Sequence, residues 1–284
     1  MMKKLILLMA FFVFTASSSF AACNYEKMCV NSGKTSLGFT KFVTKYTGTT
    51  FLAEKAAEKI IKKELKKETG TVFDVDLKTF SANDLFSGRF KSLKIKAPHV
   101  SADGVYLSNV NIQTLCDYNS INYKSKPMKF RENMVLSYYF ELSDSDFKKT
   151  IAQSSLLDKI NNLNLSALGI SVFQIKNSNV GIVNNKINFS AKAAMFGMPS
   201  ALNLNASADV KVVNGKFTTA KVDVPGFFDD IDVSEYLVLL NTFDPLNFSV
   251  NLLDNAGAKI QIKNFKVINN RIVVSGIVFF PKNN

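Results

Sequence analysis

The clearest periodicity in the chain lies over residues 51–67. Apolar side chains recur there at three- and four-residue steps, with Leu52, Ala56 and Ile60 on one line and Ala53, Ala57, Ile61 and Leu65 on another. This spacing predicts an amphipathic helix, capped at its start by Thr49 or Thr50 and ended by Gly70. Its polar positions carry Lys55, Lys59, Lys62, Lys63, Lys66 and Lys67, with Glu54, Glu58 and Glu64 between them. Glu-to-Lys pairs four residues apart are expected to stabilise a solvated face.

From Thr71 onward the period falls to two, which predicts strands. One covers residues 72–77. A second covers 89–97 after the Ser87-Gly88 turn, with Leu93, Ile95 and Ala97 on one side and Lys94 and Lys96 on the other. A third covers 105–115, and its apolar phase slips near Asn109, the sign of a bulge. A fourth covers 133–140. Ser143 then caps a second helix, predicted from Asp144 to about Asn162, where Asp144 and Asp146 suit the positive helix end. A long meander follows, with strands over 170–175, 187–195, 202–212 and 217–224. Asn184-Asn185 and Asn214-Gly215 turn its hairpins, because these residues accept positive φ. A third short helix is predicted over 232–240. A last hairpin pairs 259–267 with 271–280 around Asn269-Asn270. The fold class is therefore α+β: curved antiparallel sheets wrapping the N-terminal amphipathic helix, with two further short helices.

The N-terminus changes the setting. Lys3 and Lys4 precede an apolar run over residues 5–14, followed by small and polar residues up to Phe20-Ala21-Ala22-Cys23. This order predicts an export signal over 1–22, and the run is too short to span a bilayer, which takes ~20 residues. An irregular segment over 23–50 and a single α+β domain over 51–284 complete the division. Two processing routes are open. Ser19-Phe20-Ala21 suits ordinary cleavage, and Phe20-Ala21-Ala22-Cys23 resembles a lipobox that would place lipid on Cys23. The protein is expected in the periplasm or cell envelope, with or without an anchor at Cys23. Three cysteines leave one over in an oxidising compartment. Cys29 and Cys116 are free to pair if Cys23 is lipidated; otherwise Cys23–Cys29 and Cys29–Cys116 both remain open.

Charge narrows the partners. The formal net charge is +12, and the excess is lysine rather than arginine. No aromatic-plus-arginine motif of a nucleic-acid reader is present, so nucleic acid is not an expected partner. An exported lysine-rich chain suits anionic lipid headgroups, although plain solubility also accounts for the charge. No nucleophile elbow, paired-histidine metal motif, phosphate loop or dinucleotide fingerprint occurs. His99, the single histidine, is read as a surface loop residue after Pro98. The acid pairs Asp144/Asp146 and Asp229-Asp230 fall at predicted helix starts, where capping explains them. No cofactor, metal or catalytic residue is expected. Two apolar turns stand out, one with Met195, Phe196 and Met198 and one with Phe227 and Phe228. Each either folds onto the core, dips into a bilayer as a membrane contact, or lines a ligand mouth.

Four stretches share a pattern with a known family. These are Ala53-Glu54-Lys55-Ala56-Ala57-Glu58, the turn and alternating strand Phe86-Ser87-Gly88-Arg89-Phe90-Lys91-Ser92-Leu93-Lys94-Ile95, the helix opening Leu142-Ser143-Asp144-Ser145-Asp146-Phe147, and the closing Val267-Ile268-Asn269-Asn270-Arg271-Ile272-Val273-Val274-Ser275-Gly276. In their order over about residues 50–280 the chain resembles the LmeA-like family of exported phospholipid-binding proteins. That resemblance implies a non-catalytic protein whose curved sheet and helix enclose an apolar groove for phospholipid, acting in envelope lipid or glycolipid homeostasis. It carries no residue role. The helix reading supplies Leu52, Ile60, Ile61 and Leu65 as groove candidates. The competing expectations are an envelope scaffold that contacts membrane or protein without internal lipid, and a glycolipid-processing enzyme whose acids lie far apart in sequence.

Overall fold

A computed structural model of the chain describes residues 29, 48–102, 104–125, 129–153, 164–167, 170–195, 202–213, 216–223 and 258–283. It is a mixed α+β structure of antiparallel sheets and few helices. The first helix, α1, spans Thr49–Thr69. Then come β1 (Asp74–Lys78), the five-residue helix α2 (Ala82–Phe86), β2 (Arg89–Phe90), β3 (Ser92–Ala102), β4 (Val105–Thr114), β5 (Asn119–Asn122), β6 (Lys129–Phe130) and β7 (Met134–Ser143). Helix α3 covers Asp144–Gln153. The meander is β8 (Asn164–Ala167), β9 (Ile170–Val183), β10 (Lys186–Met195), β11 (Leu202–Val213) and β12 (Lys216–Asp223), and β13 (Lys259–Ile268) and β14 (Arg271–Phe280) close the chain.

Six strands form the main sheet in the order β1-β3-β4-β7-β14-β13. Its registers align one row across the whole sheet: Val75, Ile95, Ile112, Tyr138, Gly276 and Ile262. Every member of the row is buried, because alternation keeps these positions on one face. The row contains a glycine because Tyr138 occupies the room beside it. A Cβ on Gly276 would collide with the Tyr138 hydroxyl and the Gln261 carbonyl oxygen. Gly276→Ala is therefore expected to cost about 1–3 kcal/mol, read from the urea unfolding midpoint. On the opposite face Cys116, Val135 and Ile277 make a smaller cluster with Cys29, and Cys29 and Cys116 form a disulfide. Of the open pairings, this is the one formed. Cys23 lies outside the described residues.

The bulge expected near Asn109 is present. Asn109 has φ 50, and the β4–β7 register shifts between Ser108 and Asn111. It also corrects the reading of His99. Pro98 and His99 lie inside β3, not in a loop. Ala97 pairs with Val110 and His99 with Ser108, so Pro98, which lacks an N–H, stands across from the bulged Asn109. Asn184, Asn185, Asn269 and Asn270 all have positive φ at hairpin tips, as expected. These two tips hold each other, with the Asn185 N–H donating to Asn270 Oδ1 at 3.1 Å and the Asn270 N–H to Asn185 Oδ1 at 2.9 Å. Val213 pairs with Lys216, while Asn214-Gly215 and the helix predicted over 232–240 lie outside the described residues.

Helix α1 starts differently from expectation. Its N-cap is Gly48 in the left-handed region, with no side-chain cap from Thr49 or Thr50; Gly70 ends it at φ 70 as expected. Two Ser-x-x-Asp boxes cap the other helices. Ser81 and Asp84 open α2, where the fully buried Asp84 also holds Arg89 at 2.9 Å. Ser143 and Asp146 open α3.

Candidate functional site

Strand β1 lies at an edge of the main sheet, and α1 covers that edge. The cover is polar as well as apolar. The Thr79 N–H donates to Glu54 Oε1 at 2.7 Å and the Leu77 N–H to Glu58 Oε1 at 3.1 Å. Two residues of strand rise about 6.7 Å and four residues of helix about 6 Å. Glutamates four apart on α1 therefore match the alternate outward N–H groups of Leu77, in β1, and Thr79, one residue past its end. Both glutamates are buried, which corrects the solvated-face reading of Glu54 and Glu58: an edge strand's unpaired donors draw them in. Lys55 Nζ reaches Glu58 Oε2 at 2.7 Å from the solvent side.

This anchoring fixes the rotation of α1 and divides the groove candidates. Leu52 and Ile61 are nine residues apart, about two and a half turns, so they point in opposite directions. Leu65 is fully buried, and Ile61 packs against the core beside Ala57. Leu52 and Ile60 are 65% and 63% exposed, and Phe51 is 59% exposed. The four candidates thus do not line one groove: Ile61 and Leu65 belong to the core, and Leu52 and Ile60 to the outer surface.

The outer surface of α1 has one sign of charge. At 100° per residue, Lys55, Lys59, Lys62, Lys63, Lys66 and Lys67 share about half of the circumference with Phe51, Leu52 and Ile60. Glu54, Glu58, Glu64 and Glu68 all fall on the other half. Lys62 contacts Asp74 at 3.3 Å. Among the described residues, no carboxylate pairs with Lys59, Lys63, Lys66 or Lys67. The surface is a basic helical face about 30 Å long with large apolar side chains standing among the cations.

The remaining sequence candidates fall elsewhere. Met195 ends β10, in register with Phe173; Phe196, Met198, Phe227 and Phe228 lie outside the described residues. His99 Nδ1 is 3.2 Å from Ser108 Oγ, which donates to Asp146 Oδ2 at 2.7 Å. Here serine stands between acid and imidazole, whereas nucleophilic catalysis needs the imidazole in the middle, and the serine proton is held by the carboxylate. The cluster serves the α3 cap. Burial pushes the Asp146 carboxyl up, but hydrogen bonds from the Ser108 and Ser143 hydroxyls and the Ser143 N–H outweigh it and hold the carboxyl below its ordinary value. A folded value below the unfolded one gives stability that is present above the unfolded pKa of about 3.9 and lost as pH falls through the folded value. Asp146→Asn is expected to flatten this acid limb, measured as the urea midpoint from neutral to strongly acidic pH.

No helix among the described residues is long and apolar enough to cross a membrane. The chain matches no protein-family model, no curated protein and no solved structure.

Proposed function

We propose that this is an exported, non-catalytic phospholipid-binding protein of the cell envelope that works on an anionic membrane surface through the outer face of α1. The observation that carries the reading is the segregation on that helix. Glu54 and Glu58 are buried against the edge of the sheet and the half-buried Glu64 and Glu68 lie on the same half of the helix, while six lysines and three large apolar side chains occupy the other half. Folding accounts for the inward half. It gives no reason to leave Phe51, Leu52 and Ile60 mostly in water, where each forgoes part of the roughly 1.5–3 kcal/mol that full burial gives. A basic helical face with Leu52 near its centre and Phe51 and Ile60 at its two borders suits the headgroup layer, where lysines meet phosphates and apolar side chains reach the acyl boundary.

In this reading the acyl contacts implied by the LmeA-like resemblance fall on the outer face, because Ile61 and Leu65 are already used in the core. Export is supported by the N-terminal charge-and-apolar pattern and by the Cys29–Cys116 disulfide, which suits an oxidising compartment. Flotation of the mature chain with vesicles tests the reading. Binding is expected to vesicles that mix anionic and zwitterionic phospholipid, stronger at low salt than at high salt. Equal recovery with purely zwitterionic vesicles, or no recovery at all, would refute it and favour a protein partner for the same face.

A further inference from the structure

Two more large rings stand out of the surface near the start of α1. Phe86, the last residue of α2, is 66% exposed, and Tyr123, just after β5, is 47% exposed. They share one end of the molecule with Phe51. Glu54 ties the start of α1 to Thr79, α2 begins at Ala82, and α1 packs against α2. Tyr123 Oη donates to the Phe86 carbonyl at 2.8 Å.

These rings are held out by an ordered scaffold. The preceding Leu85 packs into the core, so the helix turns Phe86 away from it. Behind the ring the Gly88 N–H donates to the Leu85 carbonyl at 2.8 Å and the Ile121 N–H to the Gly88 carbonyl at 2.9 Å. Gly88, at φ 77, is required there, because a Cβ would run into the Ile121 carbonyl oxygen. Cations accompany the rings. Lys55 Nζ lies 5.7 Å from the Phe51 ring centre and Lys124 Nζ 5.9 Å from that of Tyr123. Arg131 donates to the Ser87 carbonyl at 2.9 Å.

From this geometry we infer an insertion tip: Phe51, Phe86 and Tyr123 enter the headgroup layer of an anionic phospholipid bilayer together, and the cations around them stay at the phosphates. The inference rests on the membrane-surface reading and adds to it the orientation of the bound protein. Rings with basic neighbours match the membrane interface, which enriches aromatic side chains and attracts lysine and arginine. The tip is at the end of the main sheet where β3 begins at Ser92. The paired hairpin tips carrying Val183 and Ile268 are at the other end, beside Ala102 and Ser143. With α1 lying along the bilayer beside the β1 edge, β14 and β13 stand toward the far edge of the sheet, and those hairpins stay in water although Val183 and Ile268 are also exposed.

The chain has no tryptophan, so each substitution to tryptophan reports alone. Phe51→Trp, Phe86→Trp, Tyr123→Trp, Ile60→Trp and Val183→Trp are prepared in the full mature chain, each accepted only if its thermal unfolding matches that of the parent. They are mixed with anionic vesicles carrying acyl-brominated phospholipid. The expected result is a blue shift and strong quenching for Phe51→Trp, Phe86→Trp and Tyr123→Trp, at least equal to Ile60→Trp, with Val183→Trp unchanged. Quenching of Ile60→Trp without quenching of Phe86→Trp and Tyr123→Trp would overturn the tip and leave the α1 surface reading standing. Quenching of Val183→Trp to the same degree as the tip residues would overturn the orientation. No change in any of the five, with no vesicle recovery, would overturn both readings.

Discussion

Glu54→Ala and Glu58→Ala together are expected to lower the unfolding free energy by about 2–6 kcal/mol, at about 1–3 kcal/mol for each buried donor left without its acceptor. The donors are the Leu77 N–H on the outer edge of β1 and the Thr79 N–H just past its end. Water cannot replace the carboxylates there, because Ala57, Ile61 and Leu65 seal the same interface. Replacement by glutamine should be milder, since an amide oxygen still accepts the bond. Lys59→Ala and Lys63→Ala, on the opposite half of α1, should stay within about 0.5 kcal/mol of the parent. Urea unfolding of the four variants measures all of this. A double-alanine loss below about 1 kcal/mol would mean that α1 is not held through its acids.

The second large effect is on binding rather than stability. Changing Lys59, Lys63 and Lys66 to glutamate removes three cations from the outer face of α1 without touching its core side. Each basic residue near an anionic surface contributes about 1 kcal/mol. Loss of three therefore weakens binding to anionic vesicles by at least ~100-fold, and the added repulsion pushes it further. Changing Leu52 and Ile60 to serine should act differently. It removes the apolar contribution, so the remaining binding becomes more sensitive to salt. Both sets sit on exposed positions, so folding should be retained.

The parts of this fold legible in the sequence are those set by local signals. The helix predicted over 51–67 is the core of Thr49–Thr69, and the hairpins at Asn184-Asn185 and Asn269-Asn270 follow from residues that tolerate positive φ. The slipped phase near Asn109 betrayed the bulge. Helix α2 went unpredicted because five residues are too few for a 3.6-residue period to show; its signal was the Ser81-x-x-Asp84 box. The rotation of α1 was hidden for a different reason. Glu54 and Glu58 look like members of a solvated Glu–Lys ladder, and what draws them inward is a row of edge-strand donors some twenty residues downstream. With the acids assigned to water, Leu52 and Ile60 could not be told from Ile61 and Leu65. The segregation of charge, and with it the candidate site, emerges only once β1 is in place.

Net charge alone could bring this chain to an anionic surface; a role for the outer face of α1 requires that the position of the charges decides binding. The most direct test compares two variants of equal charge by flotation with anionic vesicles. One carries Lys59→Glu, Lys63→Glu and Lys66→Glu. The other carries Lys149→Glu, Lys176→Glu and Lys266→Glu, at exposed positions on α3, β9 and β13. A role for the α1 face predicts that the first loses vesicle binding and the second keeps nearly all of it. Equal losses in the two would contradict it and reduce the interaction to bulk charge.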